Sequence, residues 1–182
     1  ILEYLENGKY REAQTYFEKK IAATKKKSKN RYTGIEVLNL MLNYEIEQAE
    51  EKTIRVNCAV EAYHCPVDET ELCIIIGNLF DNAIEAVKDL PDEQRKIDFS
   101  IQNPNGIFRI EISNPYEGER RKIEYHYLTT KKENTEMHGL GLMSVQKIVE
   151  KYDGLIEISD EDNVFRGVVT FYDEEVKDSA GT

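Results

Sequence analysis

The sequence has little of what marks secreted, membrane-spanning or zinc-binding proteins. Its 182 residues include only three cysteines, an odd number without the paired C-x-x-C spacing of a zinc site. Such cysteine usage favours reduced thiols in a cytoplasmic compartment. No apolar run approaches the roughly 18 residues of a membrane span, and no signal peptide is visible. These absences predict a soluble, cytoplasmic chain.

Positive charge is also in short supply. The sequence holds 24 Lys and Arg against 35 Asp and Glu, which gives a net charge of −11. Because nucleic-acid binding depends on neutralising phosphates with Lys and Arg, we expect no nucleic-acid partner. The densest basic run, residues 25–31 (KKKSKNR), falls at an apparent helix end, where cations complement the carbonyl dipole.

The chain is arranged around one amphipathic helix, predicted from Asp68 to Lys88. Its side chains Asn78, Asn82 and Glu85 share one stripe, away from the apolar positions. A polar stripe is usually a solvated surface, but asparagine is a poor helix former and its oxygen suits Mg²⁺. The stripe is therefore a candidate ligand site. The apolar positions, which recur at helical spacing, are Leu72, Ile76, Leu79, Phe80, Ala83 and Val87.

Residues 1–32 carry a helical pattern of their own. Residues 1–6 are predicted to be the tail of one helix and Lys9 to about Lys27 a second helix, and a pair of this kind cannot bury its apolar stripe alone. We therefore expect a partner helix or a second copy of the chain against this stripe. Asn30 to Gly34 break the pattern, which places a domain boundary there and predicts a second domain over residues 33–182. The stripe consists of Tyr10, Ala13, Phe17 and Ile21.

The second domain alternates helical and strand patterns, with one long, charged, irregular loop predicted at residues 115–137. A loop of this length in a compact domain is usually a functional lid or disordered. Alternating strands of this kind favour an antiparallel sheet. In chain order, the elements predicted around the central helix are a helix at Ile35–Glu51, a strand at Thr53–Val60, strands at Lys96–Gln102 and Ile107–Ser113, a helix at Gly139–Tyr152, and strands at Leu155–Ser159 and Val164–Tyr172.

Two motifs in this frame resemble those of one protein family. Residues 78–86 (NLFDNAIEA) are similar to the N box of the GHKL ATPases, the group that contains gyrase, the heat-shock chaperone ATPase, the histidine kinases and MutL. Residues 138–154 (HGLGLMSVQKIVEKYDG) resemble the second glycine box and the helix it opens. The resemblance covers roughly residues 33–174. It implies an α+β fold, a two-layer α/β sandwich with a mixed, mostly antiparallel sheet, that binds ATP and Mg²⁺.

The resemblance also implies roles for particular residues. Asn82 would ligate Mg²⁺, Asn78 would bond to the phosphates, and Glu85 would bind metal-bound water or a lid lysine. The glycine box would let backbone amides approach the phosphates at a helix N-terminus. Lys131 or Lys132 would reach the γ-phosphate, although a solvated loop explains these lysines equally well. The implied nucleotide contacts are Asn78, Asn82, Asn114, Thr130, Lys131, Lys132, His138, Gly139, Leu140, Gly141 and Leu142.

Departures from the family pattern indicate a branch. Where hydrolytic members carry a water-activating glutamate, this chain has Asn78, whose amide cannot act as a general base, so transfer to a protein nucleophile is expected. Asn114 stands where the first glycine box has its adenine-reading aspartate, and it would offer a neutral oxygen to the adenine amino group. This degenerate box, together with residues 33–39 (TGIEVLN), resembles the AgrC-type quorum-sensing peptide-receptor kinases.

A histidine kinase needs an acceptor histidine on a helix. His64, His126 and His138 fall instead in a loop, the lid and the glycine box. The resemblance therefore implies a fragment whose acceptor helix and membrane-anchored sensor precede Ile1. It also implies that the fragment forms a homodimer through its N-terminal helices and that its partner is a response regulator. Two alternatives stay open: a non-catalytic nucleotide-binding adaptor, favoured by the degenerate glycine box, and an anti-sigma-type GHKL protein serine kinase.

Overall fold

The fold joins a five-stranded sheet to a layer of helices, as seen in a computed structural model that describes residues 30–117 and 140–173. Every element predicted within those residues is present, and each end lies within two residues of its prediction. In chain order the elements are α1 (Glu36–Glu50), β1 (Arg55–Glu61), α2 (Glu69–Val87), a short 3-10 helix (Asp92–Gln94), β2 (Lys96–Gln102), β3 (Ile107–Pro115), α3 (Leu140–Lys151), β4 (Leu155–Glu161) and β5 (Val164–Tyr172).

The sheet has the strand order β1-β2-β3-β5-β4 and is mixed. Strand β1 pairs with β2 in parallel, because α2 carries the chain back across the sheet between them. The other three pairs are antiparallel, so the mixed, mostly antiparallel sheet is confirmed, although β1 does not join the antiparallel run that strand alternation suggested.

The turn between β2 and β3 forms where its sequence predicts it. Asn105 and Gly106 both have positive φ, at 53° and 75°, and the Ile107 N–H donates to the Pro104 carbonyl over 3.0 Å. Left-handed central residues give this turn the twist that a hairpin needs. Strand β3 runs two residues further than predicted, since Pro115 still pairs with Val164 of β5.

The hydrophobic core lies between the helices and one face of the sheet. Alternate residues of β2 and β3 are buried, and α2 contacts both strands from that side. Helix α2 begins at a side-chain cap, because the Asp68 carboxylate accepts hydrogen bonds from the N–H groups of Thr70 and Glu71. Ile76, Ala83 and Val87 are at most 1% exposed, as the periodicity predicts.

Helix α3 ends at Asp153 and Gly154. Asp153 has a left-handed backbone, at φ 51°, and the Gly154 N–H donates to the Val149 carbonyl over 2.9 Å. Gly154 is required at this position because a β-carbon there would lie 2.7 Å from the Thr170 carbonyl oxygen. The glycine therefore lets the chain pass close to β5.

Several predictions fall on residues that the structure does not describe. These are the N-terminal helices with their Tyr10, Ala13, Phe17 and Ile21 stripe, and most of the expected lid. No helix within residues 30–117 and 140–173 is both long and apolar enough to cross a membrane. The site residues outside the described part are Thr130, Lys131, Lys132, His138 and Gly139, and the histidine His126 lies there too.

Candidate functional site

Three elements that carry predicted site residues meet at one edge of the domain. Strand β3 ends at this edge, α2 runs back towards it from the end of β1, and α3 begins there. Helices α2 and α3 pack against one another, and both contact the sheet. The fold thus packs α2, which carries the polar stripe, against the glycine-box helix on one side and against β3, the strand of Asn114, on another.

Asn78 is buried, not solvated. Its side chain is 8% exposed and its Nδ2 donates to the Ile74 carbonyl over 2.7 Å. Helix α3 covers it closely, because a β-carbon at Gly141 would lie 2.8 Å from Asn78 Oδ1. Gly141 therefore allows the two helices to approach at the asparagine. The solvated-surface explanation of the stripe does not hold for this residue.

The rest of the stripe becomes more exposed towards the end of α2. Asn82 is half-buried, whereas Glu85 is exposed and its carboxylate pairs with Lys88 Nζ over 2.7 Å. The hydrogen bond to Glu85 raises the pKa of Lys88, which keeps that lysine charged. The stripe therefore runs from an amide buried between helices to a carboxylate at the surface.

Asn114 is a buried polar residue in an apolar row. It follows Ile110 and Ile112 on the face of β3 that looks towards the helices, and it is 2% exposed. Its Nδ2 donates to the Pro115 carbonyl over 2.8 Å, which fixes the amide. Among the described residues, its Oδ1 is the only buried side-chain nitrogen or oxygen without a hydrogen-bond partner. Such an atom calls for an explanation, since leaving an acceptor unpaired costs about 1–3 kcal/mol.

The glycine-box helix presents its N-terminus to the same region. Helix α3 begins at Leu140, Gly141 is buried, and Leu142 packs half-buried against the core. The first N–H groups of a helix have no partner within it and favour anions. The start of α3 can therefore face phosphate groups while Leu142 anchors it.

Sequence reasoning missed the contacts that hold these elements in place. At the end of β3, Tyr116 donates its hydroxyl hydrogen to Asp160 of β4 and its N–H to the Asn163 carbonyl. These bonds fasten the strand end that carries Asn114. No sequence signal could have found them, because the pairing of residue 116 with residue 160 depends on strand order.

A second fastening joins α2 and α3 at their other ends. The Lys151 Nζ donates to both Glu71 carboxylate oxygens over 2.9 Å, and the Tyr152 hydroxyl donates to Glu71 over 2.6 Å. The same hydroxyl accepts from the Asp68 N–H over 3.1 Å. The angle between the helices is thus fixed at both ends, by this cluster and by the contact of Asn78 with Gly141.

The described residues contain no ready-made metal centre. No group of three or more His, Cys, Asp or Glu within ranges 30–117 and 140–173 could hold a metal ion. The asparagine oxygens of α2 remain as possible metal ligands. They suit a Mg²⁺ ion that takes its other ligands from phosphates and water. The residues present therefore fit a magnesium–nucleotide complex better than a metal bound by protein alone.

Comparison with known proteins agrees with this arrangement. A family model described as a GHKL domain matches residues 67–171, more than half of the chain. The chain belongs to the GHKL domain family. The match begins just before α2 and ends in β5, so it includes the N box, Asn114 and the described part of the glycine box.

The curated relatives are sensor kinases. A probable C4-dicarboxylate sensor kinase of Halalkalibacterium halodurans is 29% identical over 96 residues, which is 52% of this chain and 18% of that protein. The sensor histidine kinase DpiB of Escherichia coli is 28% identical over 100 residues, 53% of this chain and 18% of that protein. The GHKL chain thus spans less than a fifth of the length of these relatives.

Solved structures share the fold. The catalytic domain of histidine kinase ThkA superposes with a TM-score of 0.57 at 19% identity, covering 75% of this chain and 92% of that one. The mycobacterial sensor histidine kinase MprB gives 0.55 at 16% identity, covering 75% and 93%. This GHKL domain therefore has the fold of histidine kinase catalytic domains.

Proposed function

We propose that this chain is the ATP-binding catalytic domain of a sensor histidine kinase, which transfers the γ-phosphate of ATP to a histidine outside this sequence. Membership of the GHKL family supports nucleotide binding, and the names of the relatives support the kinase activity. The single observation that carries the proposal is the unpaired, buried Oδ1 of Asn114, on the strand that contacts the N-box helix.

Asn114 would read the base. Its Nδ2 is held by the Pro115 carbonyl, so its Oδ1 is left to accept a hydrogen bond from a ligand. The exocyclic amine of adenine is such a donor, whereas guanine presents a carbonyl at the same position. Asn114 would therefore favour ATP over GTP.

The α2 stripe and the start of α3 would hold the phosphates and Mg²⁺. Asn82 would offer its oxygen to the ion, while Asn78, buried under Gly141, would bond to the phosphates. Glu85 would break its ion pair with Lys88 and bind metal-bound water or a lid lysine instead. The bound ion would neutralise phosphate charge, and the chain would contribute mainly positioning. The proposed contacts outside the described residues are Thr130, Lys131, Lys132, His138 and Gly139.

Transfer is favoured over hydrolysis because Asn78 occupies the general-base position. An amide does not take a proton from water at neutral pH. The acceptor would lie on another segment, since His64 sits in the loop between β1 and α2. A dimer through the N-terminal helices and a response regulator as phosphate acceptor complete the proposal, with the catalytic domain on the cytoplasmic side of a membrane-anchored protein.

The signal that the whole protein senses is a separate question from the activity of the catalytic domain. The degenerate first glycine box and residues 33–39 favour a quorum-sensing peptide receptor, whereas two relatives are named C4-dicarboxylate sensor kinases. The matched part of those relatives covers under a fifth of their length. From the sequence motifs we propose a peptide receptor, and a dicarboxylate sensor is the competing proposal.

Calorimetric titration with ATP and Mg²⁺ tests the site, with Asn114→Leu as the decisive variant. Leucine has the same number and branching of side-chain heavy atoms as asparagine and removes the unpaired acceptor, so the fold should persist. We expect ATP affinity to fall about fivefold or more, because one hydrogen bond contributes about 1 kcal/mol. Ser113→Ala, the adjacent residue on the other face of β3, is the matched control. Equal ATP affinity in wild type and Asn114→Leu would contradict base reading by Asn114.

A non-catalytic adaptor remains the second candidate, because the neutral Asn114 replaces a charged residue. Phosphotransfer separates the two. The natural protein, given γ-labelled ATP, should acquire acid-labile, alkali-stable label on an upstream histidine. Nucleotide binding without any such label would favour the adaptor.

A further inference from the structure

Four residues join the start of α2 to the end of α3, and we call them the Glu71 cluster: Asp68, Glu71, Lys151 and Tyr152. The Glu71 carboxylate is its centre, since it accepts from Lys151 Nζ at both oxygens over 2.9 Å and from the Tyr152 hydroxyl over 2.6 Å. The same hydroxyl accepts from the Asp68 N–H over 3.1 Å. The cluster therefore connects the first turn of one helix to the last turn of the other.

The end of α3 is also held against the sheet. The Tyr152 ring meets Phe171 of β5 edge to face, with ring centroids 6.0 Å apart. Just beyond the helix, a β-carbon at Gly154 would lie 2.7 Å from the Thr170 carbonyl oxygen, so the backbone passes directly over β5 there. The C-terminal end of α3 is thus fixed to both α2 and β5.

The glycine box lies at the opposite end of α3. Helices α2 and α3 run in opposite directions, because the end of β1 and the start of β4 lie at the same edge of the sheet. Gly141 lies about 15 Å along the helix from Lys151, so a rotation of about 4° at the Lys151 end would move Gly141 by about 1 Å. A β-carbon at Gly141 would lie only 2.8 Å from Asn78 Oδ1, so such a shift would change the contact between the helices.

The Glu71 cluster is placed to orient α3 more than to stabilise the fold. The Lys151 side chain is 59% exposed, and an ion pair with so exposed a member contributes little stability. The inner side of α3 packs through Val145, Ile148 and Val149, which are buried in the core. Apolar packing is non-directional, whereas hydrogen bonds require a particular geometry. The hydrogen bonds of the cluster therefore supply a direction that the core contact does not specify.

Charge and protonation favour a cluster that stays formed at neutral pH. Glu71 lies in the first turn of α2 and Lys151 in the last turn of α3, where each complements the dipole of its helix. The hydrogen bond to Glu71 raises the pKa of Lys151, and burial together with the same carboxylate raises the pKa of Tyr152. Both donors therefore keep their protons.

We propose that Glu71 and Tyr152 are positioning residues for the nucleotide site, because they hold α3 at the angle that places Gly141 against Asn78 and the start of α3 towards the phosphates. Neither residue would touch ATP, since both lie at the opposite end of the helices from the glycine box. This inference rests on the proposed function, and it names residues outside the N box and the glycine box on which ATP affinity depends.

Calorimetric titration with ATP and Mg²⁺, without denaturant, tests this role in the folded chain. Glu71→Ala removes the acceptor of the Lys151 and Tyr152 hydrogen bonds. We expect ATP affinity to fall about fivefold or more, the factor for one lost hydrogen bond to the phosphates. Glu71→Gln keeps an acceptor oxygen and should recover part of the affinity. Tyr152→Phe keeps the ring against Phe171 but loses the hydroxyl, so its ATP affinity should also fall.

Two control variants separate positioning from loss of charge and from loss of stability. Glu150→Ala removes a carboxylate from the same turn of α3, and the hydrogen bond of Glu150 stays within that helix, to Gln146. Glu111→Gln weakens the ion pair with Arg166 of β5 and touches neither helix end. Both controls should bind ATP as tightly as the wild type.

Wild-type ATP affinity in folded Glu71→Ala would overturn the positioning role. An equal fall in Glu111→Gln would also overturn it, because loss of stability would then explain both results. If Asn114→Leu weakens ATP binding and Glu71→Ala does not, the positioning role alone is wrong. If the wild-type chain binds no ATP, the proposed function fails together with this inference.

Discussion

Substitution of Gly141 by alanine tests how the glycine-box helix meets the N box. The new methyl group would lie 2.8 Å from Asn78 Oδ1 and 3.5 Å from Asn78 Cγ. The asparagine has little room to withdraw, since it is 8% exposed and its Nδ2 is bonded to the Ile74 carbonyl. Either this hydrogen bond breaks or the two helices separate.

The expected change in the free energy of unfolding on Gly141→Ala follows from three effects. Overpacking costs about 1–3 kcal/mol, and loss of the Asn78 hydrogen bond costs about 0.5–1.5 kcal/mol. Alanine returns about 1 kcal/mol through its higher helix propensity. Gly141→Ala should therefore lower the free energy of unfolding by about 0.5–3.5 kcal/mol in urea titrations. Its ATP affinity should also fall, because Asn78 is displaced from the phosphate side of the site.

A double-mutant cycle isolates the contact. On an Asn78→Ala background the obstructing oxygen is gone, so Gly141→Ala should stabilise the chain by about 1 kcal/mol through helix propensity. Gly34→Ala serves as the control, since a β-carbon there meets nothing within 4 Å. If Gly141→Ala has the same effect on stability with and without Asn78, the close approach of the helices does not explain the glycine.

Three further predictions follow from the described residues. Asn82→Ala should abolish the magnesium dependence of ATP binding in calorimetry with little loss of stability, since Asn82 is only half-buried; unchanged magnesium dependence would refute its role. The Arg166 guanidinium lowers the pKa of Glu111, so the carboxylate stabilises the fold above its unfolded pKa and loses this effect as pH falls through the lower folded value. Glu111→Gln should thus reduce stability in urea at pH 7 but not near pH 2, and a loss of equal size at both pH values would contradict the ion pair. Burial raises the pKa of Cys65 to about 11 and of Cys73 to about 12, so both should react with a thiol reagent at pH 8 at least about a hundredfold faster after unfolding.

Much of the fold could be predicted because each element carries its own periodic signal. The burial of Ile76 and Val87 follows directly from helical spacing, and the β2 to β3 turn follows from Asn105 and Gly106. The length of β3 could not be predicted in this way. Pro115 extends the strand only because β5 runs alongside it, and the sequence of β3 says nothing about that neighbour.

For the candidate site, the sequence supplies residue types but not contacts. Asn78 was recognisable as part of a motif, yet its burial depends on α3, which lies more than sixty residues away in sequence. The two fastenings, Tyr116 with Asp160 and Glu71 with Lys151, join residues that only the folded chain brings together. Such long-range polar pairs have no local pattern from which to infer them.

The neutral residue at position 114 is consistent with a working nucleotide site. The Asn114 Nδ2 donates to the Pro115 carbonyl over 2.8 Å, and an aspartate there would instead place a carboxylate oxygen against that carbonyl. Two acceptors at this distance repel one another, and the carboxylate would be buried at a position that is 2% exposed. An amide donates its N–H to the Pro115 carbonyl at the strand end and leaves its oxygen for a ligand. Asparagine in place of the family's aspartate therefore suits the backbone of this chain. The replacement is thus weak support for the idea that the domain no longer binds a nucleotide.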